Sequence, residues 1–175
     1  MAFRKFMVDR GLLEDSACEL QVVALQEGYH GDTLGAMDAV APSPYNGRLQ
    51  TPWYRGRGLF LDPPTAGIFA GQWQVALPPG LEAETALTAA STAGAAAGPS
   101  AAVFSSREGL FDPGRDASPL AEAYRGHIRQ QMAAHAAAHP SARLGACIIE
   151  PLVQGAGGMR LIDPLFHRVL VKACR

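Results

Sequence analysis

Two stretches of this chain place an aromatic ring, a carboxylate, a carboxamide and several glycines where they could hold a ligand. The first is Gly28-Tyr29-His30-Gly31-Asp32-Thr33-Leu34-Gly35-Ala36-Met37, directly after the apolar run Leu20 to Leu25. The second is Ile148-Ile149-Glu150-Pro151-Leu152-Val153-Gln154-Gly155-Ala156-Gly157-Gly158-Met159, also a buried run followed by a glycine-rich loop. An aromatic side chain at Tyr29 can offer a flat face to a planar ring. Gly28 and Gly31 let the backbone come close and turn sharply. The plain structural alternative is a core tyrosine between turn glycines. His30 either orients a ligand pocket or braces the turn through local hydrogen bonds, and the second reading is favoured. Glu150 ends a strand and precedes a proline, so its carboxylate is partly buried and must be paired. It is either a member of a ligand-binding network or half of a structural ion pair. Gln154 and Gly155 follow in the same loop.

Other chemistry is weaker. His135 and His139 stand four apart on a helix, a spacing that can hold zinc. Alanines lie between them and no third ligand is evident, so a solvated helix face is the better reading and no metal is expected. Gly155, Gly157 and Gly158 resemble part of a dinucleotide fingerprint, but the spacing is wrong. Arg55 and Arg57 beside Trp53 and Tyr54 could bind an anion, although ordinary surface arginines explain them. There is no GxxxxGK[ST], GxSxG or HExxH motif. The chain has two lysines, Lys5 and Lys172, both on expected amphipathic helices.

The elements that position these residues follow from patterning. At 175 residues with 48% apolar and 18% charged side chains, the chain suits one soluble globular domain. A formal net charge of −1 gives no reason to invoke nucleic acid or an anionic membrane surface. No apolar run is long enough to span a bilayer, and no targeting signature is visible. Cys18, Cys147 and Cys174 are widely spaced, odd in number and without a CxxC. They read as buried or incidental thiols in a reducing compartment.

Met1 to Arg10 reads as the end of an amphipathic helix, with Phe3, Phe6 and Met7 opposite Arg4, Lys5 and Arg10. Leu20 to Leu25 suits a buried strand. Asp32 or Thr33 is expected to cap a helix over about Leu34 to Val40. Ala41 to Pro64, rich in Pro and Gly, is expected to be irregular and packed by Trp53, Tyr54 and Phe60. Residues 81 to 103, dominated by Ala with Gly, Ser and Thr, read as a flexible low-complexity insertion.

Ser118-Pro119 starts the clearest helix, with a stripe of Leu120, Tyr124, Ile128 and Met132, and Pro140 ends it. Leu144 to Ile149 is a second buried strand. Asp163-Pro164 caps a final helix with Leu165, Phe166, Val169, Leu170 and Ala173 on its apolar face. Two strand–loop–helix units separated by a long helix predict an α/β chain with a largely parallel sheet flanked by helices. Ligands gather at the carboxyl ends of such strands, and both glycine-rich loops fall there.

The two loops, in this order, resemble those of the class III, fold type I, pyridoxal phosphate (PLP) aminotransferases, nearest to those of biotin synthesis. The likeness covers Met1 to about Leu77 and Leu144 to Arg175, with none expected through the Ala-rich part. The resemblance implies that residues 1–175 are part of the large PLP-binding domain. It implies that Tyr29 stacks on the cofactor and that Glu150, Gln154, Gly155, His30 and Gly31 lie in its pocket. It further implies that the lysine forming the Schiff base and the acid facing the pyridinium nitrogen lie beyond Arg175. The phosphate cradle would precede residue 1, so the chain alone would be an inactive fragment.

The implied substrates are 8-amino-7-oxononanoate as acceptor and S-adenosylmethionine as donor, with a homodimer when complete. Ala41-Pro42-Ser43-Pro44-Tyr45 and Pro52 to Pro64 resemble the eukaryotic bifunctional form, with a dethiobiotin synthetase fused upstream. That implies a mitochondrial location, the cytoplasm being the alternative. Ornithine and γ-aminobutyrate transaminases carry a further glutamate in the second loop. Gln154 to Gly158 has none, which argues against those activities. The alternatives are another class III ω-amine transaminase or a non-catalytic fragment.

Overall fold

A computed structural model describes residues 2–11, 18–44, 46–47, 53–81 and 100–175. The expectations for Tyr45, Pro52, most of the low-complexity segment (82–99) and the side chain of Phe3 lie outside the described residues. The elements in chain order are α1 (Ala2–Asp9), β1 (Glu19–Leu25), α2 (Leu34–Asp38), β2 (Gly58–Leu61), β3 (Thr65–Phe69), β4 (Gln72–Ala76) and β5 (Ser100–Phe104). Then come α3 (Arg107–Phe111), a 3-10 turn (Pro113–Ala117), α4 (Pro119–Ala138), β6 (Ala142–Cys147), β7 (Val153–Gln154), β8 (Arg160–Ile162) and α5 (Pro164–Ala173).

β1 is the spine. It pairs in parallel with β2 (Val22 opposite Gly58, Leu25 opposite Leu61) and with β6 (Glu19 opposite Ala142, Val23 opposite Cys147). Flanked on both edges, its last three residues, Val23, Ala24 and Leu25, are all buried. That is why this strand reads as a continuous apolar run instead of an alternating one.

The helices are set by their starts. Ser118 Oγ accepts from the Ala121 N–H at 3.2 Å, and Pro119 occupies the first helical position of α4. Asp163 does the same for α5 through the Leu165 N–H at 3.0 Å. Tyr124 and Phe166 meet edge to face, 5.3 Å between centroids, in the core shared by Val23, Leu25, Leu61, Ile128 and Leu170. Asp163, fully buried, also takes both Arg115 Nη groups at 2.8 Å and the Tyr124 hydroxyl at 2.9 Å. That one carboxylate therefore ties the 3-10 turn, α4 and α5 together.

Several expectations need correction. The expected parallel sheet flanked by helices is present, but it is not the only sheet. Beside the three-stranded parallel sheet (β2-β1-β6) stands a five-stranded antiparallel one in the order β5-β4-β3-β8-β7. Its β3–β4 hairpin turns on Ala70 (φ 47) and Gly71 (φ 78). The expected insertion is shorter at both ends. Leu81 is fully buried in the core, and Ser100 to Phe104 form β5 against β4. Neither Asp32 nor Thr33 caps α2 with its side chain; Thr33 makes no such bond and Asp32 is engaged by Tyr29.

Trp53 is 59% exposed, so the segment is packed by Tyr54, buried with its hydroxyl on the Val40 carbonyl, and by half-buried Phe60 beside Gly56. Ala173 lies exposed at the end of α5, not on its buried face. The His135 and His139 rings contact each other at 4.5 Å, and His135 Nε2 reaches Gln21 Oε1 on β1 at 2.6 Å. That helix end is thus tied to the sheet instead of being simply solvated.

Candidate cofactor site

β1 and β6 run side by side in the same direction, so the loops that leave their carboxyl ends emerge together. Glu150 joins them. Its Oε2 accepts from the Tyr29 N–H at 2.9 Å and its Oε1 from the Gly155 N–H at 3.0 Å. One carboxylate thus uses both oxygens on main-chain donors, one in each loop. Bonds of this kind to an ionised acceptor are among the stronger hydrogen bonds in proteins. These bonds brace the two loops, and no ion pair of Glu150 occurs among the described residues.

Two further links cross the same gap. Gln154, 1% exposed, donates from Nε2 to the Gln26 carbonyl at 2.8 Å. Arg160 reaches Glu27 at 2.6 Å. The backbone approach is close as well: a Cβ on Gly157 would collide with the Glu27 carbonyl. Three of the four described non-glycine residues with positive φ, Glu27 (58°), Leu152 (67°) and Met159 (55°), lie in these two loops. Such conformations cost about 1–3 kcal/mol each and concentrate where a site over-determines its backbone.

Tyr29 is 45% exposed, and its hydroxyl donates to Asp32 Oδ2 at 3.0 Å. That bond and the Asp32 charge raise the phenol above its ordinary pKa. Its ring is therefore anchored at both ends, by Glu150 through the backbone and by Asp32 through the hydroxyl. Gly31 adopts φ 110, which keeps the chain turning directly behind that ring.

His30 Nε2 and Gln154 Oε1 are buried and have no hydrogen-bond partner among the described residues. A Cβ placed on Gly28 would lie 3.5 Å from His30 Nε2 and 3.9 Å from Gln154 Nε2, so these groups converge on one spot. Burial lowers the His30 pKa against the opposing pull of the Glu150 charge, which favours the neutral ring. The favoured reading of His30 as a turn brace receives no support at Nε2.

All six residues read from the sequence, Tyr29, His30, Gly31, Glu150, Gln154 and Gly155, fall in this one loop pair. The sequence did not single out Gln26, Glu27 or Arg160. Glu27 and Arg160 border the two motifs, but nothing in one chain says which charges will pair across 133 positions. Lys5 pairs with Asp9 on α1 and Lys172 with Asp116 from α5, so neither belongs to the loops. No group of three or more His, Cys, Asp or Glu residues that could hold a metal occurs among the described residues.

Fold and site together define an α/β chain whose two glycine-rich loops meet at the carboxyl ends of adjacent parallel strands. No family model matches it. Three curated proteins do. Over 179 residues, all of this chain and 20% of the relative, it is 49% identical to the mitochondrial bifunctional dethiobiotin synthetase/7,8-diamino-pelargonic acid aminotransferase of Arabidopsis thaliana. The protein of the same name from Oryza sativa subsp. japonica is 45% identical over 183 residues, all of this chain and 21% of that one. A bifunctional dethiobiotin synthetase/adenosylmethionine-8-amino-7-oxononanoate aminotransferase of Emericella nidulans is 36% identical over 168 residues, 95% of this chain and 19% of its own length. The first two alignments span the whole chain and the third nearly all of it. The chain spans about a fifth of the length of the relatives it matches.

Proposed function

We propose that this chain is the cofactor-facing segment of a PLP-dependent aminotransferase of biotin synthesis, class III and fold type I, of the bifunctional type its relatives are named for. The reading is carried by Glu150, whose single carboxylate holds the Tyr29 loop against the Gly155 loop. The residues present fit a planar, hydrogen-bonding ring. Tyr29 offers an exposed, doubly anchored aromatic face. Gln154 Oε1 and His30 Nε2 are buried polar atoms awaiting partners. PLP, when bound, supplies the electron sink for amino transfer.

In this proposal the chain's own residues bind and orient. Tyr29 stacks on one ring face. Gly31 and Gly155 keep the backbone close and bare. Gln154 Oε1 accepts a hydrogen bond from the bound group, and neutral His30 borders the same spot. Glu150 does not touch the ligand; it fixes the backbone from which Tyr29 projects. The substrates are 8-amino-7-oxononanoate and, as donor, S-adenosylmethionine. The absence of a carboxylate between Gln154 and Gly158 separates the site from ornithine and γ-aminobutyrate transaminases. The active form is a homodimer in the mitochondrion, with dethiobiotin synthetase in the same polypeptide.

The test is a chimera in which this chain replaces the matched segment of the Arabidopsis thaliana enzyme. Formation of 7,8-diaminononanoate from 8-amino-7-oxononanoate, read by mass spectrometry, supports the assignment. A folded, PLP-loaded chimera without that activity, beside an active parent, overturns it.

A further inference from the structure

The sequence offers two histidines at a metal-binding spacing without a partner for them, and the fold supplies one. His135 lies in the last turn of α4 and His139 caps it, with their rings 4.5 Å apart and tilted by 44°. His139 is exposed. His135 Nε2 meets Oε1 of Gln21, a buried residue of β1, at 2.6 Å. A carboxamide oxygen only accepts, so His135 donates from Nε2 and its Nδ1 keeps the free lone pair.

We propose that the imidazoles of His135 and His139 together chelate a divalent transition cation of the Zn²⁺ class, with Gln21 as the positioning residue that orients the inner ring. The clamp does not depend on the cofactor reading. It lies in the amino-terminal half of β1, away from the two glycine-rich loops.

The geometry suits one ion. Zinc–nitrogen bonds are about 2.0–2.1 Å long, so two nitrogens on one tetrahedral ion stand about 3.3 Å apart. The exposed His139 ring can turn to that separation. The bond from His135 Nε2–H to a carbonyl-type oxygen is the outer contact that metal-bound histidines make, and it fixes both tautomer and ring orientation. No group of three or more His, Cys, Asp or Glu gathers among the described residues, so water completes the shell.

The electrostatics run the same way. Two neutral imidazoles bring no negative charge, but the end of a 20-residue helix carries about half an elementary negative charge, which favours a cation there. Arg143 directs its guanidinium to the Pro140 and Ala142 carbonyls. Imidazole donors also select Zn²⁺ over Mg²⁺ and Ca²⁺, which take oxygen ligands.

The experiment is calorimetric titration of the full chain with Zn²⁺, beside Mg²⁺ as control. Zn²⁺ should bind saturably and raise the thermal midpoint, and Mg²⁺ should do neither. His139→Ala, at an exposed position, should weaken Zn²⁺ binding by at least about tenfold. Gln21→Leu keeps the buried bulk but removes the acceptor, and should cost about 10–100-fold, as loss of an outer-shell partner does. Gln21→Glu keeps an acceptor, now charged, and should bind at least as tightly as the parent. A parent chain without saturable Zn²⁺ binding overturns the proposal. So does undiminished binding by a folded His139→Ala chain, because other side chains would then hold the ion. Equal affinity for the parent and Gln21→Leu overturns the part assigned to Gln21.

Discussion

Removing the Glu150 side chain should loosen two amides that are far apart in sequence and leave the core intact. Its two oxygens hold the Tyr29 and Gly155 N–H groups at 2.9 and 3.0 Å. Sheltered bonds to a charged acceptor contribute about 1.5–3 kcal/mol each. Glu150 is half-exposed, so screening by water brings the pair together to about 2 kcal/mol. At about 1.4 kcal/mol per decade, local opening becomes about thirtyfold more frequent.

The assay is amide hydrogen exchange, followed residue by residue in the full chain. Glu150→Ala should speed exchange at Tyr29 and Gly155 by about that factor, while Tyr124 in α4 keeps its protection. Glu150→Gln is informative because a carboxamide has one acceptor oxygen and one donor nitrogen. It can satisfy one of the two amides and must present N–H to the other. Unchanged exchange at both amides in a folded Glu150→Ala chain would refute the bridging role.

Three other outcomes follow from the same structure. Asp163→Asn should cost about 3–5 kcal/mol in urea unfolding, because it strips the negative partner from the buried Arg115 guanidinium; a loss under 1 kcal/mol on the order expected for surface changes would contradict that. His30, His135 and His167 are all held below the ordinary histidine pKa by burial. Their unfolded forms therefore bind protons more readily, so stability should be complete above about pH 6.5 and fall as the pH drops below it. His167→Gln should flatten the dependence of the urea midpoint on pH in that window, and an unchanged slope counts against it. The chain alone should show no transaminase turnover. After incubation with PLP and borohydride reduction, peptide mapping should find only slow, partial labelling of Lys5 and Lys172; stoichiometric labelling of Lys172 with turnover would be fatal to the placement of the site.

Much of the fold around the candidate site was legible because local chemistry and tertiary position agree there. Val22, Val23 and Ala24 could only suit a strand buried on both faces, and glycines after two such strands marked where the loops leave. Ser118-Pro119 and Asp163-Pro164 announced their helices with caps that the structure forms. The antiparallel sheet was not legible. Its hairpin turns on Ala70-Gly71, without the Asn or Asp that advertises two left-handed residues. β7 and β8 are two and three residues long and exist through their pairing with each other and β3. Asp32 had the right type and place for a cap, but the Tyr29 hydroxyl competes for it. Glu27 with Arg160 and Asp163 with Arg115 are pairings between distant positions, which periodicity along one chain does not encode.

The central claim is that the Tyr29 ring is the platform for PLP. PLP affinity should be measured by spectroscopic titration of the chimera with the Arabidopsis thaliana enzyme. The parent chimera, Tyr29→Phe and Tyr29→Ala should be compared at equal fold stability. Tyr29→Phe keeps the ring and loses only the bond to Asp32, so binding should stay within about twofold; Tyr29→Ala removes the stacking face and should weaken binding by about tenfold or more. Equal affinity for the parent and Tyr29→Ala would contradict the account.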